Sequence, residues 1–216
     1  MRSIAATGTI DAYCNLATLI FAKIINLIAT SQKRQGHLFD GSSKINTLWR
    51  ELQDWRSHCP RQILSLLRTE AHQGSPFPTV LHTSNSSVCG NAFYHAGSIL
   101  LLRTGNVCRD ETDAETDTYD PIWHARELCG ISTANTSHAN WVNHLQLLYV
   151  AGQVFGYGSA RQQGVSPRLD EDDIANEEEY AAEKLSLLKH LSKIEREIGW
   201  TTSDRAADLR RLWGLE

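Results

Sequence analysis

The stretch EIGWTTSDRAADLRRLWGL, Glu197–Leu215, ends one amphipathic helix and starts another across a tight turn. Leading into it, Leu187, Leu188, Leu191, Ile194 and Ile198 recur at the three- and four-residue spacing of a single helix face. Gly199 stands where a helix C-cap wants a left-handed residue, because glycine has no Cβ to clash there. Thr201, Thr202 and Ser203 then offer N-cap oxygens for a helix over Asp204–Trp213. Trp200 and Trp213 are the expected packing anchors of this helix–turn–helix corner.

The same helical grammar runs back through the chain. Ile10, Tyr13, Ala17, Ile20, Ile24 and Leu27 form a stripe that Cys14, Phe21 and Ile28 widen, the pattern of a buried helix. Ser42 or Ser43 can cap a second helix carrying Ile45, Leu48, Trp49, Leu52 and Trp55 on one face. Pro60 limits that helix, since it pushes Cys59 out of α geometry; Ile63–Arg68 reads as a further short helical piece. Residues 74–87 read as a loop anchored by Phe77, Val80 and Leu81. Ser84 or Ser86 can cap the next helix, which runs to Arg103 and ends at Gly105-Asn106. Asp120-Pro121 is a strong helix start, an Asx cap with proline at the first helical position. Residues 135–137 interrupt, and a helix over 138–155 resumes with Val142, Leu145, Tyr149 and Val154. No period-2 strand stands out, so the expected fold is all-α, a single irregular bundle or array of five to seven helices over residues 1–216.

Composition bounds the function classes. At 41% hydrophobic and 21% charged residues this is ordinary globular material, and 216 residues suffice for one substantial core or two small ones. The net charge of −4 hides an uneven distribution. The acidic loop 110–120 holds six acids and no base, and residues 170–179 hold seven more. The remaining body is mildly basic, and the segment 156–175, polar and glycine-containing, reads as mobile. Five cysteines, odd in number and without a C-x-x-C pair, fit a reducing compartment and give no zinc-ligand spacing. Asp11 and Lys23 interrupt the apolar stretch 10–29, which leaves its charge-free run short of the roughly 20 residues a membrane span needs. The expectation is a soluble intracellular chain with no membrane partner.

Tempting chemistry fails on spacing. His124 and Glu127, at i and i+3, make half of a helical metal site, but no second pair completes it. His138 and His144, six apart, face differently, and His95 lies close to an apolar face as a core histidine would. Cys129 is five residues from His124, off its helix face by about 140°, so no dyad follows. There is no G-x-S-x-G, no P-loop and no dinucleotide fingerprint. The basic cluster Arg205, Arg210, Arg211 is interleaved with Asp204 and Asp208, the charge pairing of a solvated helix. No catalytic residue, metal ligand or cofactor is expected, and the chain does not read as an enzyme.

Five blocks, in order, carry a resemblance. They are WRELQDW (49–55), SPFPTVLHTSNSSVCGNAFYHAGSILLLR (75–103), HARELCGISTAN (124–135), HLQLLYVAGQVF (144–155), and the terminal IEREIGW with LRRLW (194–200 and 209–213). Together they resemble the C-terminal half of the regulatory, or middle homology, domain of fungal-specific binuclear zinc-cluster transcription factors. The resemblance implies a helical regulatory domain in the nucleus that modulates transcription through protein or small-effector contacts. Members of that family carry a six-cysteine zinc cluster, a basic linker and a heptad dimerisation segment; this sequence has none of them. DNA binding by that module therefore does not carry over, and the partners implied are transcription proteins, a second copy of the chain, or a small effector.

Trp49, Trp55, Trp200 and Trp213 can be imagined as an aromatic effector cage, although helical spacing alone accounts for them as packing. With Tyr94 and Gln146 they are the candidate partner or effector contacts. Two other readings stand beside this one. The first is a truncated protein-interaction scaffold, for which an exposed apolar face on residues 10–29 is expected. The second is a small-ligand-binding helical bundle with no role in transcription.

Overall fold

A computed structural model describes residues 9–33, 41–72, 74–109, 117–156 and 180–215. The acidic loop at 110–120 and the segment at 156–175 fall largely outside them. Seven helices are present among the described residues: α1 (Ile10–Lys33), α2 (Gly41–Ser57), α3 (Asn85–Leu102), α4 (Pro121–Ala134), α5 (His138–Val154), α6 (Ala181–Ile198) and α7 (Ser203–Leu212). The array is all-α in character, as the periodicity predicts.

The helices bury two apolar clusters, and α3 belongs to both. Its Ala92, Ala96 and Ile99 join α4, α5, α6 and α7 in the first core, around Trp141, Leu148, Phe155, Leu187 and Leu209. Its Tyr94 and Leu101 join α1 and α2 in the second, around Ile20, Ile24, Trp49, Leu52 and Trp55. A helix enclosed on both sides must be apolar nearly all round, so burial extends beyond the stripe of Val88, Ala92, Ala96 and Ile99 to Tyr94 and Leu101. Within α1 the stretch Ile10–Ser31 is long and apolar enough to cross a membrane by length and composition alone, with a mean hydropathy of 1.6. It supplies the second core with Tyr13, Cys14, Ala17, Ile20 and Ile24, while Leu19 (59% exposed) and Ile25 (44%) point to solvent.

The absence of strands needs correction. Two three-residue strands, β1 (Leu67–Thr69) and β2 (Thr79–Leu81), pair antiparallel with Arg68 opposite Val80. Three residues are too few to establish a period of two. The short helix expected over 63–68 is also absent; a 3₁₀ turn spans Arg61–Ile63 instead. The Ile63 carbonyl accepts from Asn91 Nδ2 (2.9 Å) and faces His82 Nδ1 (3.2 Å), so it is satisfied by side chains rather than by continuing a helix. The hairpin is fixed to α4 by Asn135, whose Nδ2 donates to the Val80 carbonyl and whose Oδ1 accepts from the His82 N–H. Gly130 makes that docking possible, since a Cβ there would lie 2.2 Å from the Pro78 carbonyl oxygen.

Helix ends follow local chemistry closely. Ser84 Oγ accepts from the Ser87 N–H to cap α3, and Asp120 Oδ1 accepts from the Ile122 N–H to cap α4. The expected cap at Ser42 or Ser43 is displaced, because α2 already begins at Gly41. At the α6–α7 corner Gly199 has φ +74° and donates to the Glu195 carbonyl. Here the capping differs from expectation: no hydroxyl accepts at the start of α7. Glu195 Oε2 instead accepts from both the N–H and Oγ1 of Thr202, and these bonds hold its carboxyl below the ordinary range.

Candidate functional site

One set of buried polar groups lies where the two cores meet at α3. From α1 and α2, Tyr13 and Trp55 exchange hydrogen bonds, Tyr13 Oη donating to the Trp55 carbonyl (2.7 Å) and Trp55 Nε1 to the Tyr13 carbonyl (3.0 Å). Trp55 stacks on Tyr94 of α3, ring centroids 5.8 Å apart at 27°. Tyr94 Oη donates to Gln53 Oε1 (3.0 Å), and the Arg56 guanidinium lies 5.9 Å from the Tyr94 ring centre. Beyond Tyr94 the aromatic run continues through His95 and His124 to Trp123.

His95 and His124 meet at 2.9 Å between their Nδ1 atoms. His124 Nε2 lies 2.8 Å from the Thr118 carbonyl, which can only accept, so Nε2 carries the proton. The Nδ1 of a neutral His124 is then an acceptor, and His95 Nδ1–H donates to it. Burial pushes the His124 pKa down to about 4, and burial with the adjacent His124 pushes His95 well below its usual value. The pair is therefore neutral and closed to solvent, a relay that joins α3, α4 and the backbone at Thr118.

A second polar group lies in the first core. Ser132 Oγ of α4 and His190 Nε2 of α6 are 2.9 Å apart, and Trp141 Nε1 of α5 donates to the Ser132 carbonyl. Burial, then the neighbouring Lys193, lowers His190 to about 4. His144, fully buried, has a ring with no hydrogen-bond partner at either nitrogen, and burial takes its pKa to about 3. Hydroxyl and imidazole are adjacent as in a nucleophile–base pair, and Ser132 is fully buried.

Charge is paired across elements. Glu127, 4% exposed, accepts from Arg68 of β1 through Nε (3.0 Å) and Nη2 (2.7 Å). Arg126 makes the same forked approach to Glu183 of α6, at 3.0 and 2.6 Å. The half-site weighed at His124 and Glu127 is thus divided, one side chain turned to His95 and the other to Arg68. Among the described residues no group of three or more His, Cys, Asp or Glu is arranged to hold a metal ion. Cys129 is fully buried, and burial pushes its thiol far up, away from thiolate chemistry.

The candidate contacts do not converge. Trp49, Trp55 and Tyr94 share the second core, while Trp213 is in the first, its Nε1 donating to the Gly152 carbonyl at 2.9 Å. Gln146 is exposed on α5. Trp200 is 57% exposed and is not a packing anchor. The residue tucked in at the corner is Thr202, 1% exposed, whose Oγ1 lies 3.0 Å from the Leu191 carbonyl. Sequence reading missed the His95–His124 pair, the Arg68–Glu127 fork and Gln53; the coincidence of YHA and HAR blocks was the available signal for the first. Compared with protein-family models, with curated proteins and with solved structures, the chain matches none.

Proposed function

We propose that this chain is a regulatory domain of the fungal zinc-cluster transcription-factor type, acting in the nucleus through protein or small-effector contacts and carrying no catalytic centre. One observation supports this reading above the others: the sequence blocks behind the resemblance touch one another in space. His95 of the YHA block bonds His124 of the HAR block at 2.9 Å. Trp213 of the terminal block bonds Gly152 of the AGQ block, and a Cβ on Gly152 would lie 2.7 Å from Leu209. Trp55 of the first block stacks on Tyr94 of the second. Blocks that merely repeated helical hydrophobicity would have no reason to meet at their least common residues. The test is to map the 5′ end of the transcript and read what precedes Met1 in frame. An upstream six-cysteine cluster is the expected result; a transcript that begins at Met1 removes DNA binding by that module.

A second reading, a partner-binding scaffold without DNA work, draws on α1. Its outward face exposes Leu19 and Ile25 along with Ala22 and Ala29, beside the exposed Asp11 and Lys23. Self-association or capture of a helical partner would cover it.

A further inference from the structure

The two strands of the hairpin present unequal edges. On β2 the Leu81 carbonyl turns toward β1, where it accepts from the Leu66 N–H at 2.7 Å. The Val80 carbonyl and the His82 N–H turn the other way, and Asn135 takes both. That edge is closed by a side chain, and closing an edge keeps a sheet from pairing with other chains. Residues opposite each other in an antiparallel ladder turn their N–H and C=O groups the same way, both inward or both outward. Arg68 is opposite Val80, so its N–H and C=O point outward, away from β2. Among the described residues the sheet ends at β1, and all three residues of that strand are exposed.

The two faces beside this edge differ in character. Leu67 and Thr69 share one face, and Leu67 is 47% exposed, with Leu66 before it 73% exposed. Arg68 lies on the other face, toward α4, where it bonds both Glu127 and Glu70. One guanidinium against two carboxylates leaves this group with a net negative charge, and the Glu70 side chain is 81% exposed. A strand added to the edge alternates its own side chains in the same way. Its residue opposite Arg68 meets the negative group, and the residues on either side meet Leu67 and Thr69. We propose that β1 is a docking edge for an extended segment of a partner protein that reads apolar–basic–apolar, held by main-chain bonds to Arg68. A second copy pairing edge to edge about a two-fold axis would set Arg68 opposite Arg68, and like charges directly opposite disfavour it. The inference does not depend on a role in transcription.

The experiment is an amide NMR titration of the full chain with an acetylated, amidated pentapeptide that alternates valine and lysine. Two further probes are the same peptide with glutamate for lysine, and the same peptide N-methylated at both lysines. The lysine peptide is expected to shift the amides of residues 66–70 saturably, with a Kd of about 1–10 mM, the strength of a few solvated contacts. The N-methylated peptide cannot donate to the Arg68 carbonyl and should not saturate. The glutamate peptide should bind at least about fivefold more weakly than the lysine peptide. Glu70→Gln should weaken the lysine peptide by about two- to fivefold, the worth of one solvated ion pair. Glu70 is exposed, so the melting temperature of that variant should stay nearly unchanged. A lysine peptide that does not saturate or that shifts other residues instead would overturn the proposal. So would an N-methylated or glutamate peptide that binds as tightly, or a Glu70→Gln protein of unchanged affinity. Shifts at residues 66–70 on concentrating the chain alone would make the edge a self-association site and overturn it as well.

Discussion

His95 donates a hydrogen bond from Nδ1 to Nδ1 of His124 across 2.9 Å, and His124 in turn donates from Nε2 to the Thr118 carbonyl. This relay crosses the boundary between α3 and α4 inside the protein, where a second proton on His124 would remove the acceptor that His95 uses.

The first prediction is a pH dependence of stability. His82, His124 and His190 are each held near 4, His144 near 3, and His95 lower than usual, in every case mainly by burial. A histidine whose folded pKa is depressed binds its proton in the unfolded state first. Stability is therefore full above about pH 6.5 and falls as the pH drops toward 4, at about 1.4 kcal/mol per pH unit for each group well within that window. Urea denaturation between pH 7.5 and 5 should show midpoints falling steeply with acidity. A flat profile would mean these rings are solvated.

Substituting Gly130 tests the docking of the hairpin on α4. A Cβ would lie 2.2 Å from the Pro78 carbonyl oxygen, a backbone atom that cannot swing aside. Gly130→Ala should destabilise by about 1–3 kcal/mol despite alanine's better helix propensity, read as a lowered denaturation midpoint. A stabilised Gly130→Ala protein would contradict the close approach.

The two tryptophans of the C-terminal corner should behave oppositely. Trp213 is 6% exposed and bonds the Gly152 carbonyl, so Trp213→Phe should cost about 1 kcal/mol or more through the lost bond and the unpaired acceptor. Trp200 is 57% exposed, and Trp200→Ala should stay within about 0.5 kcal/mol of the parent. Equal effects in thermal melts would show that Trp200 packs after all.

Leu19→Glu addresses the outward face of α1. Leu19 is 59% exposed, so the substitution should leave the melting temperature nearly unchanged. Any self-association seen by sedimentation equilibrium should weaken if that face is the contact. A dimer untouched by Leu19→Glu would place its interface elsewhere.

Local chemistry was legible in the sequence and distant pairing was not. Asp120-Pro121 and Gly199 could be read because a cap involves residues two to four apart. The stripe of α1 was legible since Ala17, Ile20 and Ile24 face one core. By contrast, His95 and His124 lie 29 residues apart on separate helices, and each alone has the pattern of a core histidine. Trp200 misled because the left-handed backbone at Gly199 decides which following residue turns inward, and that residue is Thr202. The strands β1 and β2 were invisible because each is three residues long and is held partly by a side chain, Asn135, from a later helix.

The regulatory reading is tested most directly by fusing the chain to an unrelated DNA-binding module and measuring transcription from a reporter bearing that module's site. The account predicts a change of at least about fivefold relative to the module alone, the lower end of ordinary regulatory coupling. Transcription equal to that of the module alone, with the fusion folded and present in the nucleus, would contradict it.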